Sequence, residues 1–256
     1  MDAKPKKSFF KKFWWLILLV ILAIPIIGFF LKQKIRPNMN PAEMASEKFI
    51  TANPVDLTQI LAISRFRSCA GHWYGATNLF GEPEASSSLK HYFVPQEIDS
   101  PSNDKVKVFA PFDGKITEIQ SSERGNHFTL VPNQAKNWQL TIFHLNNLED
   151  MVTDYQIKAG ELLGYAVFSQ RGNDFDISLK ARNEDFNENI DSIFPHFTDQ
   201  VLTEYEAAGA DLEEMIIDKK IREESPCPCK DAEPNTTMCN FLTDYLDPKS
   251  YYKLKK

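Results

Sequence analysis

An uncharged apolar segment near the N-terminus constrains this 256-residue chain more than any other feature. No charged side chain occurs from Phe13 to Leu31, and a helix of that length would span roughly 28 Å, close to the hydrocarbon thickness of a bilayer. A cleaved signal peptide is the alternative, but it would have a shorter apolar region followed by a small-x-small cleavage site. The residues from Gly28 to Lys32 offer no such site. We therefore predict a retained transmembrane helix over residues 13–31.

The charges around this segment predict its orientation. Lysines dominate residues 1–12, and a short basic segment before the first membrane helix usually remains in the cytoplasm. Residues 1–36 carry a charge of +7, so the chain's net charge of −6 leaves −13 for the remainder. We expect a cytoplasmic N-terminus, a tether over residues 32–55 and an acidic domain on the periplasmic or extracellular side of the cytoplasmic membrane. A domain this acidic argues against nucleic acid as a partner.

Four cysteines follow the apolar segment, and an even number in an exported domain predicts up to two disulfides. A single residue separates Cys227 from Cys229, so a bond between these two would be strained. We expect each of them to pair with either Cys69 or Cys239, and the connectivity stays open. A metal site is the competing interpretation, because Cys69 and His72 have a C-x-x-H spacing to which the Cys-Pro-Cys thiolates could add.

Residues 56–90 predict a helix followed by a loop. Asp56 has the position of an N-cap, and apolar residues follow it at helical spacing, which predicts an amphipathic helix over Leu57–Arg67. The loop after it is dense in polar, aromatic and sulfur groups. A ligand groove is one interpretation of this loop, and a loop pinned by a Cys69 disulfide, with Trp73 packed on the β domain, is the other. The candidate ligand-binding residues are Arg65, Arg67, His72, Trp73 and Tyr74.

Residues 91–181 have the pattern of short half-buried strands. Polar and apolar residues alternate along them, and Gly-containing turns separate them at spacings typical of an antiparallel barrel or sandwich. The predicted strands are Val106–Phe109, Lys115–Ile119, His127–Val131, Trp138–Leu145, Leu162–Phe168 and Phe175–Leu179. The fold class predicted is therefore α+β, mainly β: a compact antiparallel β barrel or sandwich flanked by helices, plus the transmembrane helix.

Residues 182–256 predict a helical, cysteine-bearing extension. One helix is expected from Phe197 or Thr198 to Ala208, ended by Gly209. A second is expected over Asp211–Ile217, with Asp211 in the capping position. The cysteine- and proline-bearing loop over residues 224–240 follows it.

Four motifs stand in a fixed order within the β-rich region: Ala110–Ile116, Leu140–Leu145, Ile157–Gly164 and Asp174–Leu179. Their order and spacing resemble the lysostaphin-like (LytM-type) zinc endopeptidase domain. In that family an A-x-x-D-G-x-V turn is followed by a Y-x-H-L strand, a V-x-x-G-x-x-I-G turn and an H-x-H-F-E strand. The resemblance covers residues 91–180 and implies the family's compact β fold.

The resemblance also implies zinc ligands from an H-x-x-x-D element and from the final H-x-H, where this chain departs from the pattern. His144 matches the histidine of Y-x-H-L and is the candidate catalytic residue. The candidate metal ligands are Asp174 and Asp176, which stand in place of H-x-H, and His91 and Asp99, which are too far apart for H-x-x-x-D. Paired carboxylates oppose ionisation of a zinc-bound water. We therefore expect no cofactor, and zinc only if the chain is an enzyme.

Each of these residues also has a plainer interpretation. Asp174 and Asp176 could hold calcium, but a solvated strand face is the commoner arrangement. His144 could be a half-buried strand histidine whose ring nitrogens are hydrogen-bonded within the protein. Carrier barrels and the membrane-fusion adaptors of export pumps use similar hairpins, but this chain lacks a carrier lysine at a hairpin tip and a long heptad hairpin.

The sequence thus predicts a membrane-anchored, extracytoplasmic binding or regulatory module with an inactive LytM-like domain. Its expected partners are the membrane, through one helix, and either peptidoglycan or a wall hydrolase. The alternative is a divergent metalloendopeptidase that acts on cell-wall peptides.

Overall fold

The computed structural model describes residues 40–97, 104–168, 175–182, 188–229, 238–241 and 247–255. The chain divides into two units, Met1–Asn40 and Pro41–Lys256, and all but the last residue of the first unit lies outside the described residues. The predicted transmembrane segment, residues 13–31, therefore lies outside them too. Among the helices that are described, none has the length and apolar character needed to cross a bilayer.

The described part of the second unit consists of short strands and three α-helices. The strands are β1 Ile60–Ser64, β2 His72–Tyr74, β3 Thr77–Asn78, β4 His91–Pro95, β5 Lys107–Phe109, β6 Gly114–Ser122, β7 Gly125–Pro132, β8 Trp138–Asn147, β9 Gln156–Ile157, β10 Leu162–Ala166, β11 Asp176–Arg182, β12 Glu188–Asp191, β13 Met238–Asn240 and β14 Tyr251–Lys253. The helices are α1 Pro41–Ala45, α2 Asp199–Ala207 and α3 Lys219–Glu224. Single 3-10 turns occur at Leu57–Gln59, Phe194–His196 and Glu213–Met215.

Twelve strands form one sheet. Eight of them follow the order β14-β1-β4-β11-β8-β7-β6-β9, and the other four, β3, β5, β10 and β12, pair outside this order. Apart from the parallel β12–β3 pair, its strand pairs are antiparallel, so the predicted mainly antiparallel β class is confirmed. No pairing among the described strands joins β9 to β14, so the sheet is not a closed barrel. The remaining strands, β2 and β13, form a separate two-stranded ribbon.

The alternation of residues along β8 explains how this sheet makes a core. Trp138, Leu140 and Ile142 are fully buried on one face, while Thr141 and Phe143 point to the other face and are only half-buried. Neighbouring strands pair in register, so the apolar residues of β7 and β11 join the same buried face. The sheet therefore has one apolar face that packs into the core and one polar face that is free to form a site.

Residues 41–55 belong to the folded domain, so the predicted tether does not hold for its described part. Phe49 and Ile50 are buried, and their backbone N–H groups donate to the carbonyl oxygen of His196. The Trp138 indole donates to the Glu47 carboxylate. The apolar residues of this segment thus cover one end of the core.

The helix predicted over Leu57–Arg67 is wrong. Asp56 does act as a cap, because its carboxylate accepts from the Thr58 N–H at 3.1 Å, but it caps only one 3-10 turn. The chain then enters β1, which lies between β4 and β14 and buries apolar residues on both faces. A fully buried central strand lacks the polar–apolar alternation of a half-buried one, which is why helical spacing imitated it.

The C-terminal helices agree with prediction in part. Helix α2 follows Thr198 as its N-cap, and Gly209 adopts a φ of +82° just after its end, as expected. Asp211–Ile217 is not a helix, since only Glu213–Met215 makes a 3-10 turn. Helix α3 was not predicted, although its N-cap Asp218 accepts from two backbone N–H groups.

Two glycines of the motif region lie where the backbone of a neighbouring strand comes close. Gly164 has a φ of +157°, and a Cβ there would lie 2.2 Å from the Asn146 carbonyl oxygen, so β10 and β8 approach each other too closely for a side chain. Gly114 does not close a hairpin, because β5 pairs with β10 and β6 pairs with β7. A Cβ at Gly114 would instead lie 2.4 Å from the Val131 carbonyl oxygen.

Two disulfides involve the C-terminal segment: one joins it to the loop between β1 and β2, and the other lies within it. Cys69 bonds to Cys227, and Cys229 bonds to Cys239, which confirms that the two neighbouring cysteines take different partners. The competing metal site involving these thiols is therefore wrong. Cys239 lies in β13 opposite Trp73 of β2, so the second disulfide secures the strand that pairs with β2.

Candidate functional site

The polar face of the sheet forms an open groove of ≈ 260 Å³. Its floor runs across β11, β8, β7 and β6, and cross-strand partners supply it: Lys180 lies opposite Gln139, Thr141 opposite Thr129, and Thr129 opposite Glu118. The residues that line the groove are Glu118, Gln120, His127, Thr129, Gln139, Thr141, Phe143 and Lys180. Hydroxyl and amide side chains both donate and accept hydrogen bonds, so this floor suits an extended polar ligand.

A buried ion pair lies at the end of the groove floor where β11 begins. The Nζ atom of Lys90 lies 3.3 and 3.5 Å from the two carboxylate oxygens of Asp176, and 3.6 Å from the centre of the Phe143 ring. The two charged side chains are 6% and 2% exposed. The prediction that Asp176 belongs to a solvated strand face is therefore wrong.

A β-bulge beside this ion pair brings two histidines together. Asn126 pairs with Leu145 and Phe128 pairs with Ile142, so two residues of β8 stand opposite His127 alone. One of them, His144, has a φ of +60°, a conformation that non-glycine residues adopt rarely and mostly at functional positions. The bulge interrupts the alternation of buried and half-buried residues along β8 at His144. It places the His144 ring 5.0 Å from that of His127.

The rings of His144 and His127 differ in the hydrogen bonds that their nitrogen atoms make. The Nδ1 atom of His144 donates to the Arg124 carbonyl oxygen at 3.0 Å. The Nε2 atom of His127 is buried and has no hydrogen-bond partner among the described residues. Burial, followed by the positive charges of His144, Lys90 and Arg124, lowers the pKa of His127 to about 4.

Strand β2 provides a third histidine. The Nδ1 atom of His72 lies 3.2 Å from the Tyr92 hydroxyl, and burial, then Asp176, raises the pKa of Tyr92 well above its ordinary value. Tyr92 therefore keeps its proton and can donate to Nδ1. Burial and the charges of Lys90, His144 and Arg124 lower the pKa of His72 to about 4, so this ring is neutral at pH 7.

The other residues of β2 line a second cleft. Trp73 and Tyr74 border a cavity of ≈ 470 Å³ on the side of β3 and β12, and the Tyr74 ring also lies 6.0 Å from the Nζ atoms of Lys90 and Lys180. The structure therefore places His72 and Tyr74 near the cations at the groove end, whereas Trp73 lines the second cleft and packs against Cys227 and Cys239.

The two arginines predicted as ligand residues lie apart from it. Arg67 makes a bidentate ion pair with Glu84, which is almost fully buried, and thus holds the loop rather than a ligand. Arg65 pairs with Glu214 at 3.0 Å near the surface.

His91 does not reach the groove. Its Nδ1 atom donates to the Ser64 carbonyl oxygen at 2.8 Å, and its Nε2 atom accepts from the Ser192 hydroxyl at 2.9 Å. Burial lowers its pKa to about 4, so the ring is neutral and fully hydrogen-bonded. The prediction of His91 as a candidate metal ligand is therefore wrong. Asp99 and Asp174 lie outside the described residues.

The groove's donors do not fit a zinc ion. A zinc site needs three protein ligands that converge with free lone pairs. The carboxylate of Asp176 is bound to a lysine ammonium, and a second cation at that carboxylate would be repelled by Lys90. Within the described part of the chain, no three His, Cys, Asp or Glu side chains are placed to hold a metal ion.

None of the residues that line the groove was a candidate from the sequence, among them His127 and Phe143, and neither was Lys90. His127 had a detectable pattern, because the alternation of its strand places it on the polar face together with Thr129. Lys90 had none, since a lysine beside a buried strand is ordinarily solvent-exposed.

No protein-family model and no curated protein matches this chain. Among solved structures, it is similar to lysostaphin in solution, with 16% identity and a TM-score of 0.31 over 48% of this chain and 51% of that one. A zinc-containing peptidase from Vibrio cholerae has 15% identity and a TM-score of 0.35, over 56% of this chain and 39% of that one. A putative peptidase M23 from Pseudomonas aeruginosa has 15% identity and a TM-score of 0.31, over 60% of this chain and 57% of that one. The chain spans about half the length of the first structure, and similarities at this level do not establish a shared activity.

Proposed function

We propose that this chain binds cell-wall peptide or glycan in its polar groove without hydrolysing it. The observation that carries the proposal is the buried Lys90–Asp176 ion pair at the end of the groove floor. Asp176 occupies the position where the motif resemblance implies a zinc-binding histidine. In this chain, a lysine ammonium satisfies that carboxylate instead of a metal ion.

The form of the groove supports a polymer as its ligand. It is open, and its floor crosses four strands with hydroxyl and amide side chains, such as Thr141 and Gln139. An extended chain can lie across such a floor and exchange hydrogen bonds with successive strands. The ordered motifs over residues 91–180 favour wall peptide as the polymer.

The apolar segment at residues 13–31 supports the rest of the proposal. It would anchor the chain in the cytoplasmic membrane, with the acidic domain on the outer side near the wall. There the two disulfides would be stable, because that compartment is oxidising. A non-hydrolytic groove in this position would regulate wall hydrolysis by holding either wall material or a wall hydrolase.

Sedimentation of the purified full-length chain with insoluble peptidoglycan tests the binding. We expect the chain to pellet with peptidoglycan, and we expect Thr141→Arg, which fills the centre of the groove, to remain in the supernatant. Thr203→Arg makes the same change on the exposed side of α2 and should pellet like the unmodified chain. Equal pelleting of all three chains, or of none, would overturn the groove as the binding site.

A further inference from the structure

We infer that the groove end formed by His72, His127, His144 and Lys90 binds a carboxylate group of the ligand. This inference rests on the proposed function and narrows it, because it assigns the groove a ligand with a negatively charged end. The chain would then distinguish a free peptide carboxylate from the same peptide with an amide.

The first argument is the convergence of nitrogen donors from different parts of the fold. His127 comes from β7, His144 from the bulge in β8 and His72 from the β2 ribbon, while Lys90 precedes β4. The rings of His127 and His144 lie 5.0 Å apart, and Phe143 connects them to Lys90, with its ring 4.9 Å from that of His127 and 3.6 Å from the Lys90 Nζ atom. Four elements therefore contribute donors to one end of the groove.

The second argument is that this end has hydrogen-bonding capacity left over. The Nε2 atom of His127 is buried without a partner among the described residues, which is costly unless a ligand supplies one. The protonated Tyr92 hydroxyl can donate to Nδ1 of His72, and His72 then carries its proton on Nε2 as a further donor. The Nδ1 atom of His144 donates to the Arg124 carbonyl oxygen, so its Nε2 atom can donate to a ligand carboxylate only in the imidazolium form.

The third argument is the sign of the local charge. Burial and nearby positive charges lower the pKa of both His72 and His127, so the cluster repels further protons while no anion is bound. A bound carboxylate reverses this effect, because its negative charge stabilises the imidazolium forms. The Asp176 carboxylate beside the cluster is already paired with Lys90.

A pH dependence follows from these contacts. Because a bound carboxylate raises the pKa of His72 and His127, binding takes up protons, and affinity should rise as the pH falls from 7 toward 5. The titratable and charged groups around the cluster are Tyr74, Lys90, Tyr92, Glu118, Arg124, Asp176 and Lys180, together with the three imidazoles themselves.

Calorimetry with three short peptides tests the inference on the full-length chain. The probes are N-acetyl-Ala-Ala-Ala with a free C-terminal carboxylate, its C-terminal amide, and N-acetyl-Ala-Glu-Ala amide, which separates a terminal carboxylate from a side-chain one. Because hydrogen bonds to charged groups contribute about 1.5–3 kcal/mol, the carboxylate peptides should bind at least about tenfold more tightly than the neutral amide. Affinity for them should also rise between pH 7 and pH 5.5.

Matched variants keep the test specific. His127→Gln should reduce the preference for a carboxylate over the neutral amide to within about twofold. Lys136→Met removes an exposed cation in the turn before β8, at the far end of that strand from His144, and should keep the full preference. Histidine NMR should show that the carboxylate peptide raises the pKa of His72 and His127.

Two results would overturn the inference while leaving the proposed function in place. One is equal affinity for the free carboxylate and the amide at both pH values. The other is sedimentation with peptidoglycan without measurable binding of either carboxylate peptide. Failure of the chain to sediment with peptidoglycan would instead count against the proposed function.

Discussion

Lys90→Met should lower the free energy of unfolding by about 3–5 kcal/mol, because it leaves the Asp176 carboxylate buried without its counter-charge. Both side chains are almost completely buried, so water cannot replace the lost partner. Equilibrium denaturation in urea measures the effect, and the slope with denaturant should not change, since the folded state stays compact.

A double variant and a surface control complete this test. Lys90→Met combined with Asp176→Leu should recover most of the lost stability, because replacing a buried pair with apolar residues is often neutral or stabilising. The Lys158–Asp113 pair at 2.9 Å is exposed, so Lys158→Met should change the stability by less than about 1 kcal/mol. The account of a buried ion pair is contradicted if Lys90→Met costs no more than Lys158→Met.

Removal of the Cys69–Cys227 bond by serine substitution at both positions should have the other large effect. Its cysteines are 158 residues apart, and the loop-entropy relation gives about 5 kcal/mol for a closed loop of that length. The Cys229–Cys239 bond joins cysteines 10 residues apart, for which the same relation gives about 3 kcal/mol. The long-loop variant should therefore unfold at a lower urea concentration.

The two disulfide variants should also separate stability from binding. Cys229 and Cys239 secure β13, the strand that pairs with β2, and β2 carries His72 beside the groove. Loss of this short-loop bond should weaken binding of the carboxylate peptide, although it costs less stability. An unchanged preference for the carboxylate over the amide in that variant would show that His72 is positioned without the ribbon.

The sequence predicted the central sheet well because its strands are half-buried. On β8, the alternation from Trp138 to Phe143 separates core residues from groove residues, and that period of two is readable in the sequence. Strand β1 was mistaken for a helix because it is buried on both faces and has no such period. The two strands differ in how many of their faces are buried. The burial of β1 depends on β14, a strand nearly 190 residues away in the chain.

The candidate site was harder to predict for a similar reason. His144 was identified through its motif, but its position depends on a bulge opposite His127, and bulges depend on register between strands. Lys90 and Asp176 are 86 residues apart, so their pairing is a property of the folded sheet. The sequence therefore indicated the absence of zinc-binding histidines but not the lysine that pairs with the carboxylate.

Zinc analysis of the purified full-length chain, together with a peptidoglycan assay for newly released amino groups, tests the central claim most directly. After equilibration with zinc and removal of free metal, the account predicts well below one zinc per chain and no release of amino groups from peptidoglycan that the chain nevertheless binds. One zinc per chain, lost in Asp176→Asn, with release of amino groups that His144→Ala abolishes, would contradict the account and establish the metalloendopeptidase alternative.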